Sequence, residues 1–203
     1  MTTQQHPPLY LASTSVYRRA LLQKLTTQFS CVKPEVDESP LPDETAEALV
    51  NRLTLAKAKA VAATLSAGLV IGSDQVAVFQ GEILGKPHTV ANAEAQLRRF
   101  SGQAVTFLTG LAVVNAATGK VQQAIEPFVV YFRELSEAEI RHYVAREQPL
   151  DCAGSFKSEG LGIALFDKLQ GDDPNSLIGL PLIRLLAMLR NEGLNLLLHN
   201  DGG

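Results

Sequence analysis

Short apolar runs alternate with stretches of helical period along the first half of this chain. That alternation limits the fold more than any other feature. Leu9–Ala12 reads as a short strand, and Ser13 and Ser15 can cap the helix after it, where Leu21, Leu22 and Leu25 share a face. Phe29–Lys33 alternates like a strand, and Pro34 to Asp43 is a polar loop punctuated by prolines. A long helix is expected from about Thr45 to Leu65, because Leu49, Leu53, Ala56 and Ala60 recur at three- and four-residue spacing. Lys57 lies at the margin of that stripe, within reach of the interior. Leu69–Gly72 reads as a buried strand ending at Ser73–Asp74, followed by a hairpin of Val76–Phe79 and Ile83–Leu84 around Gln80–Gly81.

The second half continues the theme. Thr89 opens a helix with Leu97 and Phe100 inward and Gly102 as its stop. Val105–Asn115 and Val121–Phe132 read as strands around a turn at Thr118–Gly119. Ser136 and Glu139 form a capping box, which predicts a helix over Glu137–Arg146. Asp151–Phe166 is glycine-punctuated and partly extended, and Pro181 to Glu192 is a last apolar helix closed by Gly193. Alternation of this kind implies an α/β fold with a mixed sheet. With 203 residues, one domain over 1–203 is expected, its core at about 9–198.

Composition sets the outer limits. The chain is 46% apolar and 19% charged, which excludes wholesale disorder, collagen and coiled coil. The formal net charge is −3, without the basic excess of a general nucleic-acid binder. That figure hides an asymmetry. Residues 1–34 carry Arg18, Arg19, Lys24 and Lys33 and no acid; residues 35–47 carry Glu35, Asp37, Glu38, Asp43, Glu44 and Glu47 and no base. These are either two solvated faces or two halves of a charged site. The polar start, Met1 to Pro8, lacks a signal-peptide core, and no run is long enough for a membrane span. A cytoplasmic protein is expected, with Cys31 and Cys152 as buried free thiols and the tail Asn200–Gly203 frayed.

Several familiar motifs fail. Gly81 to Pro87 is one residue short of a P-loop, and Pro87 stands where a magnesium-holding hydroxyl is needed. Gly160-Leu161-Gly162 lacks the third glycine of a dinucleotide fingerprint. The histidines are scattered and receive no role. What remains is a dispersed set of charges at element ends, each with a plain structural alternative. Asp74 follows an apolar strand, where ligands of α/β sheets bind, or is a solvated turn aspartate. Ser13-Thr14-Ser15 with Arg18 is a phosphate site at a helix start, or an ordinary cap. Asp37-Glu38 offers oxygen ligands for magnesium or manganese, or is an acidic loop. Lys57 and Lys86 are phosphate-neutralising or solvated. Tyr17 reads as a half-buried aromatic and Glu159 as a loop carboxylate.

In order, these segments resemble one family. Leu11-Ala12-Ser13-Thr14-Ser15, Arg18-Arg19, Val36-Asp37-Glu38, Lys57-Ala58-Lys59-Ala60, Gly72 to Val76, Gly85-Lys86-Pro87, Ala153 to Gly160 and Gly179-Leu180-Pro181 together resemble the Maf family of nucleoside triphosphate pyrophosphatases. Ser73-Asp74-Gln75 and Ser155 to Gly160 look like its YceF branch, associated with hydrolysis of 7-methyl-GTP to 7-methyl-GMP and pyrophosphate. Tyr17 stands where that branch carries tryptophan, a difference that bears on substrate range.

The resemblance implies a twisted mixed sheet, an active cleft between two lobes, and a hydrolase acting on acid anhydrides. It implies Asp74 as proton acceptor, Glu38 and Asp74 at a divalent cation, magnesium or manganese, and Ser13, Arg18, Lys57 and Lys86 at the phosphates. Tyr17, Gln75 and Glu159 would set base choice. The expected partner is a small nucleotide, with no nucleic acid and no membrane, and a homodimer is left open. Other readings are a pyrophosphatase for dTTP, UTP or non-standard nucleotides, a nucleotide-binding regulator without turnover, and a nucleic-acid-binding module.

Overall fold

The computed structural model describes residues 7–198, so the expectations for Met1 to His6 and for Asn200–Gly203 lie outside it. Its strands are β1 (Leu9–Leu11), β2 (Phe29–Cys31), β3 (Leu69–Phe79), β4 (Glu82–Leu84), β5 (Ala104–Asn115), β6 (Val121–Phe132) and β7 (Phe166–Gln170). The helices are α1 (Val16–Gln23), α2 (Ala46–Ala62), α3 (Val90–Phe100), α4 (Glu137–Glu147), α5 (Pro174–Ile178) and α6 (Leu182–Asn191). Local signals explain several boundaries. Ser15, Thr45 and Thr89 each accept a backbone N–H at a helix start, and Ser136 with Glu139 makes both bonds of the capping box. Among the described residues no helix is long and apolar enough to cross a membrane.

The sheet is mixed, in the order β2-β1-β3-β5-β6-β7, with β4 also on β3. β1 runs parallel to β2 and β3; the later pairs are antiparallel. Two core regions lie along it. Around the start of β3, α1 and α6 cover one face through Leu21, Leu22, Leu185 and Leu189, and α2 covers the other through Ala58 and Val61. Around the end of β3, Phe79, Phe100, Phe107, Phe128 and Phe132 pack with α3 and α4.

The structure corrects one strand assignment. Leu69–Gly72 and Val76–Phe79 are not separate elements: β3 is a single strand of 11 residues, and Asp74 lies inside it, buried, rather than in a solvated turn. The polar triplet Ser73-Asp74-Gln75 is tolerated because each side chain finds a partner, Ser73 and Gln75 on β5 and around α5, Asp74 on α2. β5 borders β3 from Leu69 to Val78. On the other edge, β1 pairs only with Leu69–Ile71 and β4 only with Ala77–Phe79. Gly72 to Val76 therefore face a gap in the sheet.

Two glycines bring α2 close over that gap. A Cβ at Gly72 would lie 2.5 Å from the Thr54 carbonyl oxygen, and one at Gly110 would lie 2.1 Å from Thr54 Oγ1. Close approach leaves Thr54 Oγ1 buried without a hydrogen bond, and it places the next turn of α2, with Lys57, above Asp74. Cys31 is a further correction. It is exposed, because β2 is an edge strand, while Cys152 is half-buried.

Candidate active site

The gap opens into a cleft of about 880 Å³. The nine residues to which the resemblance gives a role line it: Ser13, Tyr17, Arg18, Glu38, Lys57, Asp74, Gln75, Lys86 and Glu159. Asp37, the other candidate oxygen ligand, does not, and its Oδ1 accepts the N–H of Ser39 instead. The nine come from six places in the chain. The turn after β1 and the start of α1 bring Ser13, Tyr17 and Arg18. The loop before α2 brings Glu38, and α2 brings Lys57. The middle of β3 brings Asp74 and Gln75. The segment after β4 brings Lys86, and the loop after α4 brings Glu159.

Strand alternation sorts the centre of the site. Gly72, Asp74 and Val76 face α2; Ser73 and Gln75 face α5. On the α2 side, Lys57 Nζ donates to Glu38 Oε2 and to Asp74 Oδ1, each at 2.7 Å. Lys57 and Asp74 are buried, whereas the Glu38 side chain is 58% exposed. The sequence assigned Lys57 to phosphate; in the structure its ammonium sits between the two carboxylates and offsets their repulsion.

On the α5 side, Ser73 Oγ is within bonding distance of the carbonyls of Gly110 and Gly179. The Gly179 carbonyl also accepts from Arg18 Nε at 2.9 Å, so the end of α5 aims the guanidinium. Burial pushes the Arg18 pKa down, and the charges of Asp74 and Glu38 push it back up. Gln75 Nε2 lies within 3.1 Å of Thr109 Oγ1 and the carbonyls of Ser176 and Leu177. Its amide donor therefore holds α5, whose Leu177 and Ile178 line the cleft.

The start of α1 forms a polar wall. Ser13 Oγ accepts the N–H of Ser15, and Ser15 Oγ accepts that of Arg18. First-turn amides of a helix lack intrahelical acceptors and favour anions. Lys86 is exposed and lines the same cleft, after Gly85, where a side chain would meet open space.

A second acidic centre surrounds Tyr17. Its hydroxyl donates weakly to Asp151 Oδ2 at 3.4 Å, and Cys152 lies beside it. Burial, Cys152, Asp151 and Glu159 all raise the Tyr17 pKa. Burial and Asp151 push the Cys152 thiol up to about 12. The loop bearing Glu159 is fixed by Phe156, edge-on to Phe107 and Phe166, and by Lys157, which caps α4 through the Glu147 carbonyl.

Lys33, Asp151 and Cys152, which also line the cleft, and Ser73 and Gly179, which orient Arg18, carry no functional assignment in the sequence reading. Gly179-Leu180-Pro181 was a signal for the last, since its glycine adopts a φ of +126°. The others carry no local pattern.

Magnesium and manganese fit this donor set. Glu38 and Asp74 present hard oxygens to a common point where the chain already holds a cation, Lys57 Nζ. Among the described residues no cluster of three ligating side chains exists. An ion held there would draw its other ligands from water and phosphate oxygens.

Among solved structures, the Staphylococcus aureus Ham1 protein has a similar fold at 13% sequence identity, with a TM-score of 0.50. The match covers 91% of this chain and 99% of that one. The sequence also matches the Maf-like protein family over residues 8–192, from before β1 to the end of α6. The chain belongs to the Maf-like family.

Proposed function

We propose that the protein is a nucleoside triphosphate pyrophosphatase that favours 7-methyl-GTP. Family membership supports nucleotide pyrophosphatase chemistry, and one observation carries the reading to the residues. The buried Lys57–Asp74 pair, with Glu38, stands at a gap of the sheet and lines one cleft with a capped helix start and the oriented Arg18.

Cleavage between the α and β phosphorus forms one P–O bond from water and breaks one to the leaving pyrophosphate. The enzyme must offset the triphosphate's charge, aim the water and remove its proton. Arg18, Lys86 and the first amides of α1 bind the phosphates, and Ser13 holds the turn that presents them. Asp74 Oδ1 is engaged by Lys57, so Oδ2 accepts the proton. Lys57 keeps both carboxylates in place. Glu38 and Asp74 would hold a divalent cation, which would supply positive charge and favour ionisation of water. No covalent nucleophile is needed.

Base choice follows from charge. N7-methylation makes guanine cationic. Tyr17 can stack on it with a cation–π component of roughly 0.5–2 kcal/mol. Glu159 accepts from N1–H and the 2-amino group. Gln75 acts through α5, whose end shapes the same wall.

The test is pyrophosphate release from 7-methyl-GTP, GTP, dTTP and UTP, with and without manganese. The highest kcat/KM is expected for 7-methyl-GTP, and Glu159→Gln should lower its ratio to GTP about tenfold. Higher kcat/KM for dTTP or UTP overturns the base assignment. Absence of pyrophosphate from every nucleotide overturns the reaction.

A further inference from the structure

The segment that delivers Glu38 has no regular structure. It runs from Pro34 to Glu44 between β2 and α2, with further prolines at 40 and 42. The Glu38 side chain is mostly exposed, so packing does not place it; the loop backbone must. Val36 anchors the start of the loop on the apolar cluster that includes Leu49, Val50 and Leu53 of α2, and beyond Glu38 Arg52 of α2 bonds the loop backbone. Arg52 Nε donates to Glu44 Oε1 at 2.7 Å and Nη2 donates to Glu44 Oε2 at 2.7 Å. Nη2 also donates to the Ser39 carbonyl at 3.0 Å. Glu44 Oε2 in turn accepts the N–H of Leu41, and Asp37 Oδ1 accepts that of Ser39.

The fork therefore closes a ring across Pro40 to Asp43, the stretch in which Asp43 takes a φ of +57°. Isolated surface ion pairs do little. This one is bidentate, its carboxylate is 7% exposed, and two backbone bonds complete it. Arg52 also lies on the helix that carries Lys57, so one rigid element holds Glu38 itself and the loop behind it. Neither Arg52 nor Glu44 lines the cleft.

We infer that Arg52, with Glu44, is a positioning pair that fixes the Pro34–Glu44 loop so that Glu38 meets a divalent cation beside Asp74. The catalytic consequence rests on the pyrophosphatase reading; the loop-holding role rests on the geometry alone. Removing the fork leaves the ligands in the chain but spreads Glu38 over many positions. Weaker metal binding is therefore expected, with little change in the chemical step once metal is saturating.

Three readouts test this on the full chain: amide exchange over residues 37–44, Mn²⁺ affinity by electron paramagnetic resonance with α,β-methylene-GTP, and kcat at saturating Mn²⁺. In Arg52→Met, exchange should quicken, Mn²⁺ affinity should fall about tenfold and kcat should stay within roughly threefold. Arg52→Lys should recover part of the affinity, because a point charge replaces a fork. Glu44→Gln reports on the same ring if Arg52→Met does not fold. Unchanged exchange with unchanged affinity overturns the inference. So does loss of kcat at saturating metal with affinity intact. If the wild type turns over no nucleotide, the pyrophosphatase reading falls, and exchange and Mn²⁺ affinity still decide the role of the pair.

Discussion

Asp74 and Lys57 form a buried ion pair that Glu38 extends to the surface. Burying charges is costly unless each keeps its partners. A pair retained in a cleft is most useful where charge must be moved, as in proton transfer from water. Asp74→Asn tests this with little disturbance. Its Oδ1 can still accept from Lys57, so the native fold should persist by circular dichroism, while the group can no longer take a proton. The expected kcat for pyrophosphate release falls about a thousandfold, the scale of a lost general base. A folded variant with normal turnover would remove Asp74 from that role. The sequence brought Asp74 forward by its place after an apolar strand and Lys57 by its place at the margin of an apolar stripe, and the order of family segments joined them. Nothing local to residue 57 shows that its ammonium is held by two carboxylates 17 and 19 residues away.

Elements were legible wherever their signals are local. The capping box at Ser136, the threonine caps of α2 and α3, and the turn at Thr118–Gly119 lie where the sequence places them. β3 was divided because three polar residues interrupt its apolar run, and their partners on α2, α5 and β5 are remote in sequence. β7 is an exposed edge strand with little pattern, and α5 has only 5 residues, so neither stood out. Two carboxylates at element starts have a pH consequence. Arg52 holds Glu44, and Arg133 with Ser136 holds Glu139, each at about 2 against an ordinary 4.5. Between those values the unfolded chain binds more protons than the native one. The stability these groups contribute is present above pH 4.5 and is lost as pH falls toward 2. The melting temperature should drop over that window. In Glu44→Gln/Glu139→Gln it should start lower at pH 7 and fall less steeply. An unchanged acid slope would assign the sensitivity to other groups.

At the scale of the whole molecule, the cleft separates two core regions that share β3 and β5. The first supplies α1 and α2, hence Tyr17, Arg18 and Lys57; the second supplies the loops bearing Lys86 and Glu159. A nucleotide bound between them touches both, and it does so only when they are folded together. The charge asymmetry near residue 35 has the same origin. Arg18 and Glu38 meet in one cleft, although Glu44, from the same acidic run, holds the loop instead. A weakly acidic chain can thus offer an anion placed cations such as Arg18 and Lys86, although as many carboxylates as cations line the cleft. Binding of this kind should stabilise the native state as a unit. At a concentration 100 times its dissociation constant, a ligand adds about 2.7 kcal/mol. For a chain of this size that raises the melting temperature by roughly 5–11 °C. Mn²⁺ with α,β-methylene-7-methyl-GTP should give one cooperative transition shifted by that amount, and α,β-methylene-dTTP a smaller shift at equal concentration. Two separate transitions, only one of them moved by ligand, would mean that the nucleotide contacts a single region and does not bridge the cleft.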